Sequence, residues 1–166
     1  LNHTTLKPAI GEVVMRQDTP AERVLVVQAG ELRVERIESG GRPPLIATIG
    51  PDEMVGEMAL IGDQRHSATV TVSRGPAELL AVKADDLLQA AIYDSDLVME
   101  LLALSSHRCR QTNHHLALIL EGLDALSTRN TPLLERCCEE LDKSADQALC
   151  STSKLLRRLA RTLNQP

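Results

Sequence analysis

The sequence predicts an α+β protein: an antiparallel β-roll or jelly-roll barrel containing one short helix, then a long helix and further helices. Three observations carry that expectation. Up to about Lys83 the chain is made of short apolar runs cut by Gly, Pro and Asp, the pattern of many short strands. Beyond "ADDLLQAA" the apolar spacing becomes helical, and "DSDLVMELLALSSHRCRQTNHHLALILEGLDALS" contains no proline. Apolar residues make up 43 % of 166 residues, enough for a core, yet Phe and Trp are absent and Tyr93 is the single tyrosine. Leu, Val, Ile and Ala must do the packing. The boundaries that follow are 1–92 for the barrel, 93–127 for the long helix and 128–166 for a helical appendage.

In order along the chain, "EVVMRQ" reads as a strand and "DTPAER" as a polar turn with Asp18 and Pro20. "VLVVQAG" and "ELRVERIE" are two runs flanking Gly30; in the second, Leu32, Val34 and Ile37 roughly alternate with charges. "SGGRPP" is a loop, "LIATIG" a strand and "PDEM" another turn. "SATVTV" and "AELLAVK", joined by "SRGP", complete the strand half.

Asp94 or Ser95 offers an N-cap for the long helix. Val98, Leu102, Ser105, Cys109, Thr112, Leu116, Ile119, Leu123 and Leu126 follow one another at four-three spacing, a heptad-like seam that is polar in its middle. Such a seam packs two helices as a short coiled coil and implies a homodimer. Lying against its own barrel is the other arrangement open to this helix. After "TRNTP", Thr131 is placed to cap a helix that starts near Pro132 and runs through "LLERCCEELDKSADQ". "STSKLLRRLARTL" makes a last amphipathic helix. Leu155, Leu156, Leu159 and Leu163 lie on one side of it, and Lys154, Arg157, Arg158 and Arg161 on the other with no acid nearby.

Bulk properties exclude several classes. A formal net charge of −5 argues against a general polyanion binder. Cys109, Cys137, Cys138 and Cys150 form no CxxC pair and suit the solvated or buried thiols of a reducing compartment. No apolar run is long enough to span a bilayer and no signal peptide is evident, so the chain reads as cytosolic. The abrupt start at "LNHTTLKP" leaves room for an N-terminal region before Leu1. His107, His114 and His115 lack a carboxylate that would complete a metal set, so no metal and no cofactor are expected. A metal-dependent jelly-roll enzyme would need His and Glu ligands clustered on strands, and the strand half offers only His3 and His66. No nucleophile and base stand together elsewhere.

The stretch with most chemistry is "GEMALIGDQRHSATV", Gly56 to Val70. A glycine precedes a short helical turn, a second glycine follows it, and basic residues with a hydroxyl sit where the chain returns. Free N–H groups at the start of a short helix favour an anion, and a basic side chain from the returning strand would close over it. The residues by themselves leave an anion loop and an ordinary corner both open.

This stretch resembles the phosphate-binding cassette of the cyclic-nucleotide-binding domain, found in the catabolite activator protein, in regulatory subunits of cAMP-dependent protein kinase and in cyclic-nucleotide-gated channels. Gly56-Glu57-Met58-Ala59-Leu60-Ile61 and Ser67-Ala68-Thr69-Val70 carry the match. "GEVVMRQDTPAERVLVVQAGELRV" and "IATIGPDEMVGEMAL" extend it, so that it covers about residues 8–92. The resemblance implies that Glu57 accepts the ribose 2′-hydroxyl and that the backbone of Gly56, Glu57, Met58, Ala59 and Leu60 cradles the cyclic phosphate. It also implies that Ser67 and Ala68 close on that phosphate, and that the ligand is cAMP or cGMP. One position departs. The family's arginine falls on His66, with Arg65 one residue early, and successive strand residues face opposite sides. A neutral imidazole lacks the guanidinium fork; losing one charge-assisted hydrogen bond weakens binding about 10- to 150-fold. Were His66 the phosphate contact, affinity would rise as pH falls from about 8 to 6.

The same resemblance puts the base near the polar middle of the long helix, making Arg108, Thr112 and Asn113 candidates for contacting it. The expected function is a non-catalytic sensor that signals through its C-terminal helices. A ligand-independent dimerisation or docking module is the alternative, as is a part of a Crp/Fnr-type transcription regulator. The residues after Ser127 contain no glycine and no strand-like run, hence no winged helix-turn-helix, and on that pattern DNA is set aside as a partner.

Overall fold

The computed structural model describes residues 2–38, 44–60, 63–144 and 147–163. Ile61, Gly62 and most of "SGGRPP" lie outside these, as do residues 145 and 146. Six strands form one antiparallel sheet: β1 (His3–Leu6), β2 (Val13–Met15), β3 (Arg23–Glu35), β4 (Leu45–Ile49), β5 (Met54–Val55) and β6 (Thr69–Lys83). Their order is β1-β6-β3-β4, with β2 also on β6 and β5 also on β3. A single 3-10 turn, Glu57–Leu60, interrupts them. Four helices follow: α1 (Ala84–Tyr93), α2 (Ser95–Ser127), α3 (Thr131–Lys143) and α4 (Gln147–Leu163). The last strand ends at Lys83 and the first helix starts at Ala84, where the apolar spacing changes.

Two of the expected turns are not turns. "VLVVQAG" and "ELRVE", through Glu35, belong to the single strand β3, and "TVTV", from Thr69, and "AELLAVK" to the single strand β6. Gly30 explains the difference. Its φ is +87°, and a Cβ there would lie 2.7 Å from the Arg74 carbonyl oxygen and 2.8 Å from Ala77 Cα. Only glycine tolerates that conformation and that approach. The β3–β6 pairing jumps at this point, from Ala29 opposite Glu78 to Glu31 opposite Arg74. Pro76, which has no N–H to donate, falls in the gap. Turn residues here bend continuous strands.

Period-two alternation then sorts the side chains. Leu25, Val27, Leu32 and Val34 of β3 and Val70, Val72 and Leu79 of β6 are buried in one core with Met15, Ile49, Val55 and Ala68. A second cluster joins Leu60 of the 3-10 turn to Val24, Ala84 and Leu87, with Leu97 and Leu101 of α2 packed against it. The chain divides into two compact units, residues 1–105 and 106–166.

In the second unit, Ala125, Leu134, Cys138, Leu141, Leu149 and Leu156 make a helical core. Asn130, not Thr131, caps α3: its side chain accepts from Leu133 N at 3.2 Å. That helix stops at Lys143, immediately before "SADQ", and α4 begins at Gln147. The leucines of α4 do not share one environment. Leu156 is buried, whereas Leu155, Leu159 and Leu163 are exposed. Nor is Arg157 part of an unopposed basic stripe. It holds Glu135 at 2.7 Å and Asp142 at 2.6 Å, acids that α3 supplies from outside the helix on which the stripe was read. Those bonds keep both carboxyls below their usual range: Arg157 is the leading cause at Glu135, and Ser153 followed by Arg157 at Asp142. No helix among the described residues is long and apolar enough to cross a membrane.

Candidate functional site

Strand β5 delivers the chain to Gly56, whose φ of +96° is left-handed and suits glycine. The 3-10 turn begins immediately, with Ala59 N donating to Gly56 O at 3.3 Å. Glu57, Ala59 and Leu60 are buried, and Met58 is 59 % exposed. Burying Leu60 against α1 fixes the turn from behind. Glu57 holds a carboxylate inside the fold at 4 % exposure.

The chain returns through Arg65, His66, Ser67 and Ala68. Alternation holds as read from the sequence: Arg65 and Ser67 are exposed, His66 and Ala68 buried. Arg65 pairs across a single bridge with Pro20, and its Nη1 donates to the Asp18 carbonyl at 2.5 Å. His66 continues that ladder, its N–H donating to Thr19 O at 2.9 Å and its carbonyl accepting from Asp18 N at 2.8 Å. These bonds commit Arg65 to the β2–β3 connection. A different guanidinium reaches the returning strand. Arg36, just past β3, donates from Nη1 to Ser67 O at 2.6 Å, and its Nε is paired with Glu38. Nothing local in the sequence announces it, because 31 residues separate the partners.

A cavity of about 300 Å³ opens beside His66, lined also by Val13, Val14, Met15, Arg16, Thr19, Pro20, Glu22 and Arg23. Of the candidate ligand residues, only His66 lines it. Met15 and Arg23 belong to both neighbourhoods: a Cβ at Gly56 would lie 2.7 Å from Met15 Cε and 3.3 Å from Arg23 O. Burial first, and then the Arg23 guanidinium, push the His66 imidazole below its ordinary value. Any gain in affinity from protonating it is displaced toward lower pH than an unperturbed histidine would give.

Arg108, Thr112 and Asn113 lie on α2 in the second unit. Thr112 Oγ1 donates to the Arg108 carbonyl at 3.0 Å, the back-bond of a helical threonine, and Thr112 and Asn113 are exposed. Burial pushes the Cys137 and Cys138 thiols up, away from the reactive thiolate.

With this geometry in place, the comparisons with known proteins are specific. The cyclic nucleotide-binding domain matches residues 8–94. The chain belongs to that family. Among curated relatives it is 31 % identical over 110 residues to the CRP-like cAMP-activated global transcriptional regulator of Mycobacterium tuberculosis, a match spanning 64 % of this chain and 47 % of that protein. It is 27 % identical over 167 residues to the cyclic AMP receptor protein of Thermus thermophilus, covering 90 % of this chain and 74 % of the relative. Sixty-eight residues are 34 % identical to the acetyltransferase Pat of Mycolicibacterium smegmatis, 20 % of that protein and 41 % of this chain. Among solved structures, FixK2 from Bradyrhizobium japonicum superposes with a TM-score of 0.68 at 22 % identity, over 99 % of this chain and 84 % of that one. The α+β architecture is thus that of the family. The mycobacterial match spans about half of its relative, and setting DNA aside finds no support among relatives named as transcriptional regulators.

Proposed function

We propose that this cyclic nucleotide-binding domain is a non-catalytic sensor for cAMP or cGMP, in a protein whose output passes through α2 and the helices after it. Family membership over residues 8–94 is the observation that carries the reading. The left-handed Gly56 opening a one-turn helix, with Glu57 buried behind it, supports the cassette as the binding element. On this reading Gly56, Glu57, Met58, Ala59 and Leu60 hold the ribose and cyclic phosphate from one side, and Ser67 and Ala68 from the other. A neutral His66 in the arginine position makes the site weaker than an arginine-clamped one.

Leu60 shares a packed cluster with Leu97 and Leu101, which supports α2 as the output element. The same helix carries Leu102, Cys109, Leu116 and Leu123 at seven-residue spacing, all exposed. This supports pairing with a second copy. The mycobacterial relative, named as a transcriptional regulator, makes DNA a partner of the whole protein on this reading, and the thiols suit a cytoplasmic setting.

Titration calorimetry with cAMP and cGMP is the test. Saturable binding of either, weakened about 10- to 150-fold by Glu57→Gln, supports the sensor. Heat no greater than dilution for both nucleotides at millimolar concentration would replace it with a ligand-independent module.

A further inference from the structure

We propose that α4 is a second dimerisation helix. Its Leu155, Leu159 and Leu163 join Leu116, Leu120 and Leu123 of α2 in one apolar face, which closes on the same face of a second copy. The inference rests on the reading that α2 pairs with a second copy, and it enlarges that interface from a two-helix seam to a four-helix one.

Contacts inside the second unit fix where these side chains stand. Gly122 of α2 lies against Leu156 of α4, so close that a Cβ on Gly122 would be 3.0 Å from Leu156 Cδ1. Each residue of a helix is turned about 100° from the one before it. One step back from Gly122, the Glu121 carboxylate accepts from Cys137 Sγ of α3 at 3.9 Å. One step on, Leu123 is therefore turned away from α3, with Leu116 repeating its position two turns earlier and Leu120 beside both. The same reasoning holds on α4. One step on from Leu156, Arg157 binds Glu135 and Asp142 of α3; one step back, Leu155 is turned away from α3, and Leu159 follows it by one turn. Helix α3 thus covers one side of the α2–α4 pair, and the leucines gather on the other. Leu163 ends the row, lining with Leu126 and Ala160 the shallow groove where the two helices finish.

Size and charge both select a second copy as the occupant. The six leucines are 42–56 % exposed, the equivalent of about three whole leucines in water on each chain. Closing that surface between two copies reaches about 1,000 Å², where specific interfaces begin; the α2 leucines alone would supply half of it. Among the described residues no charge stands on this face. Glu121 is turned to α3, Asp124 away from α4, and Lys154, Arg158 and Arg161 lie across α4 from Leu156. A twofold pairing sets a surface against itself, so like charges on it would repel, and an uncharged apolar face meets its own copy without that cost.

Sedimentation equilibrium of the whole chain over a range of concentrations is the test, with circular dichroism to check that each variant keeps its helices. The wild type is expected to associate into pairs, and Leu155→Glu/Leu159→Glu to weaken that association at least about tenfold. Lys154→Gln/Arg158→Gln, on the far side of the same helix, should change it less than about twofold. Should the glutamate variant fail to fold, Leu155→Gln and Leu159→Gln separately are each expected to weaken pairing. Pairing that survives every α4 variant but is lost in Leu116→Glu/Leu123→Glu would overturn the role of α4 and leave the α2 seam standing. A wild type that stays a single chain at every concentration would overturn both and give the face to a different partner.

Discussion

The barrel and the helical half treat apolar surface in opposite ways. In β3 and β6 alternate side chains are sealed inside the sheet, with Leu25, Leu32 and Leu79 at 0 % exposure. On α2, Leu102, Leu116 and Leu123 keep 48–52 % exposure while falling at multiples of seven residues. A core and a seam both arise from periodic leucines, but the first period is closed by the same chain and the second is left open. The barrel buries its leucines within itself; on the proposed reading the helix pairs with a second copy.

The largest expected effect tests the closed side. Leu79→Ala should destabilise the barrel by about 2–5 kcal/mol in urea unfolding. Leu116→Ala should cost less than about 0.5 kcal/mol in a dilute single chain, because half of that side chain is already in water. Next comes the open side. Leu116→Glu with Leu123→Glu should convert a self-associating protein, followed by sedimentation, into single chains. The melting temperature of the wild type should rise with protein concentration and that of the variant should not. Concentration-independent melting of a single-chain wild type would remove the seam from the comparison.

A smaller change separates local from tertiary stabilisation within the helices. Asn130→Ala removes the bond to Leu133 N and should cost roughly 1 kcal/mol. Thr131→Ala, one residue on, should be close to neutral, since the cap is elsewhere.

The smallest effect concerns pH. His66 is held neutral in the fold, below its ordinary value, by burial and Arg23, with Arg16 and Glu22 on the same cavity. Between the depressed folded value and the ordinary value near 6.5, the unfolded chain binds more protons than the folded one. This contribution is therefore complete above about pH 6.5 and is lost as pH falls through the folded value. His66→Gln should flatten the decline in melting temperature on the acid side and leave the neutral side unchanged.

Much of the fold is legible in the sequence because it rests on short-range rules. The change from period two to helical spacing near Lys83 marks the strand and helix halves. Strand alternation correctly separates Arg65 from His66. The site is legible where glycine and turn chemistry encode it, as at Gly56. Other features depend on what a segment meets. Gly30 and "SRGP" carry every sign of turns, and only the close approach of Arg74 and Ala77 to Gly30 keeps the strands continuous. Thr131 and Asn130 are both good caps, and which one serves is decided by where the preceding chain bends. Arg157 looks solvated until α3 brings Glu135 and Asp142 to it. Arg36 and Arg23 reach Ser67 and His66 across gaps that no window of sequence spans.

The unbroken course of β3 and β6 has a consequence for how the barrel comes apart. On one side of the bend at Gly30 the ribbon carries β1 and β5; on the other it carries β2 and β4. Among the described residues, neither group of short strands has any sheet neighbour apart from this ribbon. Amide protons of Val24–Val27 and of Leu32–Val34 should accordingly exchange with solvent through one shared opening event. A barrel with half of its sheet melted would have to sever the spine that holds the other half.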